Sequence, residues 1–132
     1  MRSSPVALVV SRDRHLRKLL GVSLLRLGCE ALDVGSGREG LRCADQTPLD
    51  VVIVDLANDP SASNLLRALH GAPSNLHVLC LVGATDEPVR LSELRIDACL
   101  RKPFRLHELS DVVEFWLRSD LRSAAFARAA LN

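Results

Sequence analysis

Asp50-Val51-Val52-Ile53-Val54-Asp55-Leu56 sets an unbroken β-branched apolar run between two aspartates. A run without polar alternation has no face to offer water. It therefore reads as a strand buried on both sides, as in a parallel sheet covered by helices. Working outward, Val6-Ala7-Leu8-Val9-Val10 and Val78-Leu79-Cys80-Leu81-Val82 have the same character and read as further central strands. Glu30-Ala31-Leu32-Asp33-Val34 mixes charged and apolar residues, which suits a strand near the sheet edge. Ala98-Cys99-Leu100 is short enough for the opposite edge.

Amphipathic stretches separate these runs. Leu16, Leu19, Leu20, Ser23 and Leu27 follow Asp13 at helical spacing and stop at Gly28, predicting the first helix. A second is expected over Gly37 to Ala44, and a third over Ser61 to Leu69, ended by Gly71, Pro73 and Ser74. Thr85 or Asp86 can cap a short fourth helix with Pro88 in its first turn and Val89, Leu91 and Leu94 on its apolar side. A fifth starts after Pro103 and carries Leu106, Leu109, Val112, Val113, Trp116 and Leu117. Strands alternating with helices make a doubly wound α/β domain. Its functional crevice belongs at the carboxyl ends of the strands, near Ser11, Arg12, Asp13, Asp55, Val82, Gly83, Arg101 and Lys102.

Composition narrows the function classes. The 132 residues, 48% hydrophobic and 25% charged, suit one soluble domain. A formal charge of +1 lacks the electrostatic footprint of a nucleic-acid binder, so no direct nucleic-acid partner is expected. The apolar runs fall far short of the roughly 18 residues of a membrane span, and Met1-Arg2-Ser3-Ser4 opens no signal-peptide pattern. The expectation is a cytoplasmic protein without membrane contact. Cys29, Cys43, Cys80 and Cys99 are scattered singly and read as small buried hydrophobes, while His15, His70, His77 and His107 show no ligand spacing. No metal, cofactor or nucleophile grouping is called for. The basic run Arg12, Arg14, His15, Arg17, Lys18, diluted by Asp13, reads as a solvated helix face before it reads as an anion site.

Leu100-Arg101-Lys102-Pro103-Phe104-Arg105-Leu106-His107-Glu108-Leu109 is similar to the last strand, Lys-Pro-Phe junction and final helix start of the receiver domain of bacterial response regulators. Asp50 to Leu56 resembles that family's phosphoacceptor strand, with Asp55 in the acceptor position. Gly28-Cys29-Glu30-Ala31 with Gly37-Arg38-Glu39-Gly40-Leu41 is similar to its second strand and helix. Order and spacing add weight, since Asp55 lies 44 residues after Ser11 and Lys102 lies 47 after Asp55. The resemblance covers residues 5 to about 118. It implies a flavodoxin-like (βα)5 fold with strand order 2-1-3-4-5, and a cis bond between Lys102 and Pro103. It also implies that Lys102 is the phosphate-contacting lysine.

The same resemblance exposes departures. A receiver supplies two carboxylates after its first strand to hold Mg²⁺ with the acceptor, yet here Ser11 and Arg12 stand in those positions. Ser11, Arg12, Asp55 and Lys102 together carry +1, or zero if Asp13 turns inward as a residual acid, so no charge argument for Mg²⁺ remains. Val82 replaces the switch Thr or Ser and cannot donate a hydrogen bond, and Cys99 replaces the usual aromatic residue. In Leu56-Ala57-Asn58-Asp59-Pro60 the proline falls one position late.

The resulting expectation is a pseudo-receiver. It would not be an enzyme, and it would signal through contacts with a protein partner instead of Mg²⁺-dependent aspartyl phosphorylation. One alternative is a working receiver phosphorylated on Asp55, with Asp13 recruited as a metal ligand. The other is a nucleotide- or flavin-binding protein, although Ser11-Arg12-Asp13-Arg14 lacks the glycines that let backbone approach a pyrophosphate. Residues 1–118 are read as the receiver-like domain and 119–132 as a C-terminal helical extension or linker. Ser119 to Leu131 contains no Gly or Pro, and Leu117, Leu121, Ala124, Ala125, Arg128 and Leu131 fall near one helical stripe. That pattern predicts an interaction arm, with the last and fourth helices as a homodimer or partner surface, or a fold-back at Ser119-Asp120.

Overall fold

Five parallel strands form one sheet in the computed structural model: β1 (Val6–Val10), β2 (Glu30–Val34), β3 (Val51–Asp55), β4 (His77–Val82) and β5 (Ala98–Arg101). Their order is β2-β1-β3-β4-β5. The structure describes residues 4–73, 75–84 and 96–131, with side chains of the last helix described through Ser119. Four helices lie among these residues: α1 (Arg14–Arg26), α2 (Gly37–Gln46), α3 (Ala62–Leu69) and α4 (Leu106–Leu131). This is the doubly wound, flavodoxin-like arrangement expected. The helix predicted on Val89, Leu91 and Leu94 lies outside the described residues.

Period-two geometry explains how continuous apolar strands serve two cores. Leu8, Val10, Val52, Val54, Val78, Cys80 and Val82 point to one face and pack on Ala62, Leu65, Leu66 and Leu69. Ala7, Val9, Val51, Ile53, Leu79 and Leu81 point to the other and pack on Leu20 and Leu24 of α1 and Leu109, Val113 and Trp116 of α4. β1, β3 and nearly all of β4 are buried, whereas β2 and β5 alternate as edges do.

Local chemistry sets the element ends. Asp13 caps α1 by accepting from the His15 and Leu16 amides. Gly28, at φ 92°, takes a left-handed turn that a side chain would resist, and thereby leads the chain from α1 into β2. Ser36 caps α2 through the Glu39 amide. One difference from the sequence reading matters. β3 extends to Asp55, so the acceptor-equivalent carboxylate sits on the last residue of a strand instead of in the loop beyond it. The backbone of α4 runs unbroken past residue 118 to Leu131, as the expected helical extension requires, and the alternative fold-back at Ser119-Asp120 does not occur. Among the described residues, no helix is long and apolar enough to cross a membrane.

Candidate functional site

At the carboxyl edge of the sheet, β1 and β3 pair in register and bring Ser11 and Asp55 together. Ser11 is fully buried and Asp55 is 1% exposed. A carboxylate so placed must be satisfied by protein donors. Ser11 Oγ donates to Oδ2 at 2.7 Å. Lys102 Nζ donates to Oδ1 at 2.9 Å and to Oδ2 at 3.0 Å, and the Ala57 amide completes Oδ1 at 3.1 Å. Both oxygens of Asp55 are therefore held. The cis Lys102-Pro103 peptide lies at the exit of β5, where the Lys102 amide donates to the Val82 carbonyl at 2.8 Å.

Ser11 is a relay as well as a donor, because its Oγ accepts from the Asp13 amide at 3.0 Å. Arg17 braces the same turn, donating from Nη1 to the Ser11 carbonyl at 2.7 Å with its Nε 3.5 Å from Asp33. The Asp13 side chain faces the helix it caps. The Leu16 amide bonded to it holds its carboxyl below the usual carboxylate range, against the opposing effect of desolvation, with further lowering from His15 and Lys102.

Arg12 does not meet Asp55. Its guanidinium lies 3.8 Å from Asp59 Oδ1, with half of its side chain in solvent. Asp59 is buried and also bonds the Gly37 amide at 2.8 Å and the Ser61 hydroxyl and amide at 2.6 and 3.1 Å. It thus ties the loop after β3 to the start of α2. That loop reaches Asp59 through Asn58 at φ 55°, a left-handed conformation that Asn tolerates. Sequence reasoning treated Asp59 only as loop, since a lone Asp before Pro is ordinary turn chemistry. Arg12 entering at a position that resembles an acid was the available signal.

The switch-equivalent positions carry no hydroxyl. Val82 is buried in the sheet, and Cys99 is exposed on the edge strand, in register with Cys80. Burial pushes the Cys80 thiol well above its usual range, aided by Cys99 and Asp55. Arg101 reaches back to the Gly83 and Ala84 carbonyls at 2.9 and 3.2 Å. A hard divalent cation needs several oxygen donors, usually carboxylates. Here Asp55 is already held by Ser11 and Lys102, Asp13 is committed to capping α1, and no cluster of three or more His, Cys, Asp or Glu fit for a metal occurs among the described residues. These residues do not fit Mg²⁺.

The same architecture recurs in solved receiver domains. A CheY-like receiver domain from Methylobacillus flagellatus superposes with a TM-score of 0.72 at 25% identity, over 86% of this chain and 99% of that one. A response regulator receiver protein from Burkholderia phymatum gives 0.72 at 26% identity, over 86% and 95%. The chain has the fold of a response-regulator receiver domain. A CheY-like receiver from Methanospirillum hungatei JF-1 shares the fold at TM-score 0.79 and 16% identity, over 92% of this chain and 99% of that one. No protein-family model matches the sequence. A curated relative, the sensor histidine kinase AtsR of Burkholderia thailandensis, is 30% identical over 113 residues. That match spans 81% of this chain and only 19% of the kinase.

Proposed function

We propose that this receiver domain is a pseudo-receiver: a non-enzymatic cytoplasmic signalling module that works through protein contacts and is not switched by Mg²⁺-dependent phosphorylation of Asp55. The observation that carries the reading is the saturation of Asp55 by Ser11, Lys102 and the Ala57 amide. Phosphoryl transfer to a carboxylate brings two anions together, and rests on positioned cations that neutralise the developing charge. Among the described cations Lys102 alone faces the acceptor, while Arg12 is engaged by Asp59. A hydroxyl stands where a metal-binding oxyanion would be required. Partners are other signalling proteins, in keeping with a curated relative that is a sensor histidine kinase.

The test is intact-mass analysis after treatment with acetyl phosphate and Mg²⁺, alongside a beryllofluoride titration. The expected outcome is an unchanged mass and no saturable response. A stoichiometric phosphoryl adduct on Asp55 would overturn the proposal in favour of a working receiver.

A further inference from the structure

We infer that the face formed by α1 and α4 is a self-association surface, on which α1 of one copy packs against α4 of a second. Among the large hydrophobics described, four are exposed: Leu19 at 52%, Val22 at 48%, Leu25 at 59% and Phe115 at 68%. They share one side of the molecule, because α1 and α4 are neighbours over the same core face. Leu16, Leu19, Val22 and Leu25 recur every three residues, so they form one ridge along α1. Phe115 stands on the outward side of α4 beside a shallow groove of about 260 Å³ lined by Asp111, Glu114, Arg118 and Ser119. Contiguous exposed apolar groups rimmed by charge mark an interaction surface.

Charge selects the occupant. α1 contains Arg14, His15, Arg17, Lys18 and Arg26 and no acid. The first half of α4 carries Glu108, Asp111 and Glu114 against Arg118, which is itself paired with Glu114. Stacking α1 on α1 would oppose cation to cation. Stacking α1 on α4 of a second copy pairs opposite signs around an apolar centre. Symmetry permits it. Helices that connect parallel strands in one sheet run the same way, so both begin at the carboxyl edge. A twofold axis lying between the faces and parallel to the helices then exchanges the α1 and α4 positions, forming both contacts at once. In that alignment Arg14 and Lys18 lie level with Glu108 and Asp111, and the Val22–Leu25 part of the ridge lies level with Phe115 and its groove.

The experiment uses the full chain and measures mass by light scattering and sedimentation over a range of concentrations. Wild type is expected to show a concentration-dependent dimer. Arg14→Glu with Lys18→Glu should weaken dimerisation at least about tenfold, and so should Glu108→Lys with Asp111→Lys. An equimolar mixture of the two variants should restore dimers, since each contact then pairs opposite charges again. Val22→Asp, at an exposed position, should also yield monomers, with circular dichroism verifying that every variant is folded. A wild type that stays monomeric, dimers indifferent to the charge reversals, or a mixture that fails to recover would each overturn the proposal. A face that captures an acidic helix of another protein would show the first of these results.

Discussion

Lys102 neutralises a carboxylate that water cannot reach, so its removal is costly in a way that a surface ion pair is not. The Asp55 side chain is 2% exposed and that of Lys102 is 27% exposed. Truncating one partner of a buried pair leaves an uncompensated charge, and Lys102→Met is expected to destabilise the fold by about 3 kcal/mol, the low end of that class because Lys102 retains some solvent. Asp55→Asn combined with Lys102→Met should recover most of the loss, and urea denaturation of the two variants checks it. Recovery would show that Lys102 is held in place by charge balance. Asp13 gives a pH-dependent counterpart. Its folded-state pKa is lowered, first by the Leu16 amide, so its contribution is complete above the unfolded pKa and is lost as pH falls through the folded one. Asp13→Asn keeps a capping acceptor without the charge. The melting-temperature gap between wild type and Asp13→Asn should therefore be present at neutral pH, begin to narrow as pH falls below about 3.9 and close only below the lower folded-state pKa.

At the level of elements, the packing of α2 on α3 depends on two glycines. A Cβ at Gly37 would lie 2.5 Å from the Ser61 carbonyl oxygen, and one at Gly40 would lie 2.9 Å from Leu65 Cδ2. The first contact is with backbone that Asp59 has already fixed by bonding both Gly37 and Ser61. Gly37→Ala is therefore expected to cost at least about 2 kcal/mol, as overpacked cores do. Gly21→Ala is expected to stabilise by about 0.5–1 kcal/mol, since a Cβ there meets nothing within 4 Å and the helix gains propensity. Thermal melts of the pair test whether packing or backbone freedom governs each site. Periodicity made these elements legible, because Leu20 and Leu24 of α1, and Leu109 and Val113 of α4, repeat at the helical spacing and are all buried. The Gly37 approach was not legible. It depends on where α3 begins in space, which no local pattern encodes.

Across the whole molecule, strand character marked the edges, through the mixed composition of β2 and the shortness of β5, while the order between them came from the family resemblance. The encounter of Asp55 with Lys102 was readable from family spacing, because both lie at the carboxyl ends of strands in one sheet. The partner of Arg12 was hidden, since Asp59 acquires its burial from α2 and α3, elements distant in the chain. The α1 surface escaped notice for a related reason: Leu19, Val22 and Leu25 look like core residues until the sheet has claimed Leu20 and Leu24. Trp116 offers a different consequence. The sole indole of the chain stacks on His77 with ring centroids 4.9 Å apart and planes within 10°. His77 opens β4, at the amino edge of the sheet, opposite the crevice that holds Asp55. Its emission is thus a built-in optical gauge of how α4 sits on the sheet floor, insensitive to local events at the crevice. A change in fluorescence on adding a signalling partner would register motion transmitted through the whole thickness of the domain.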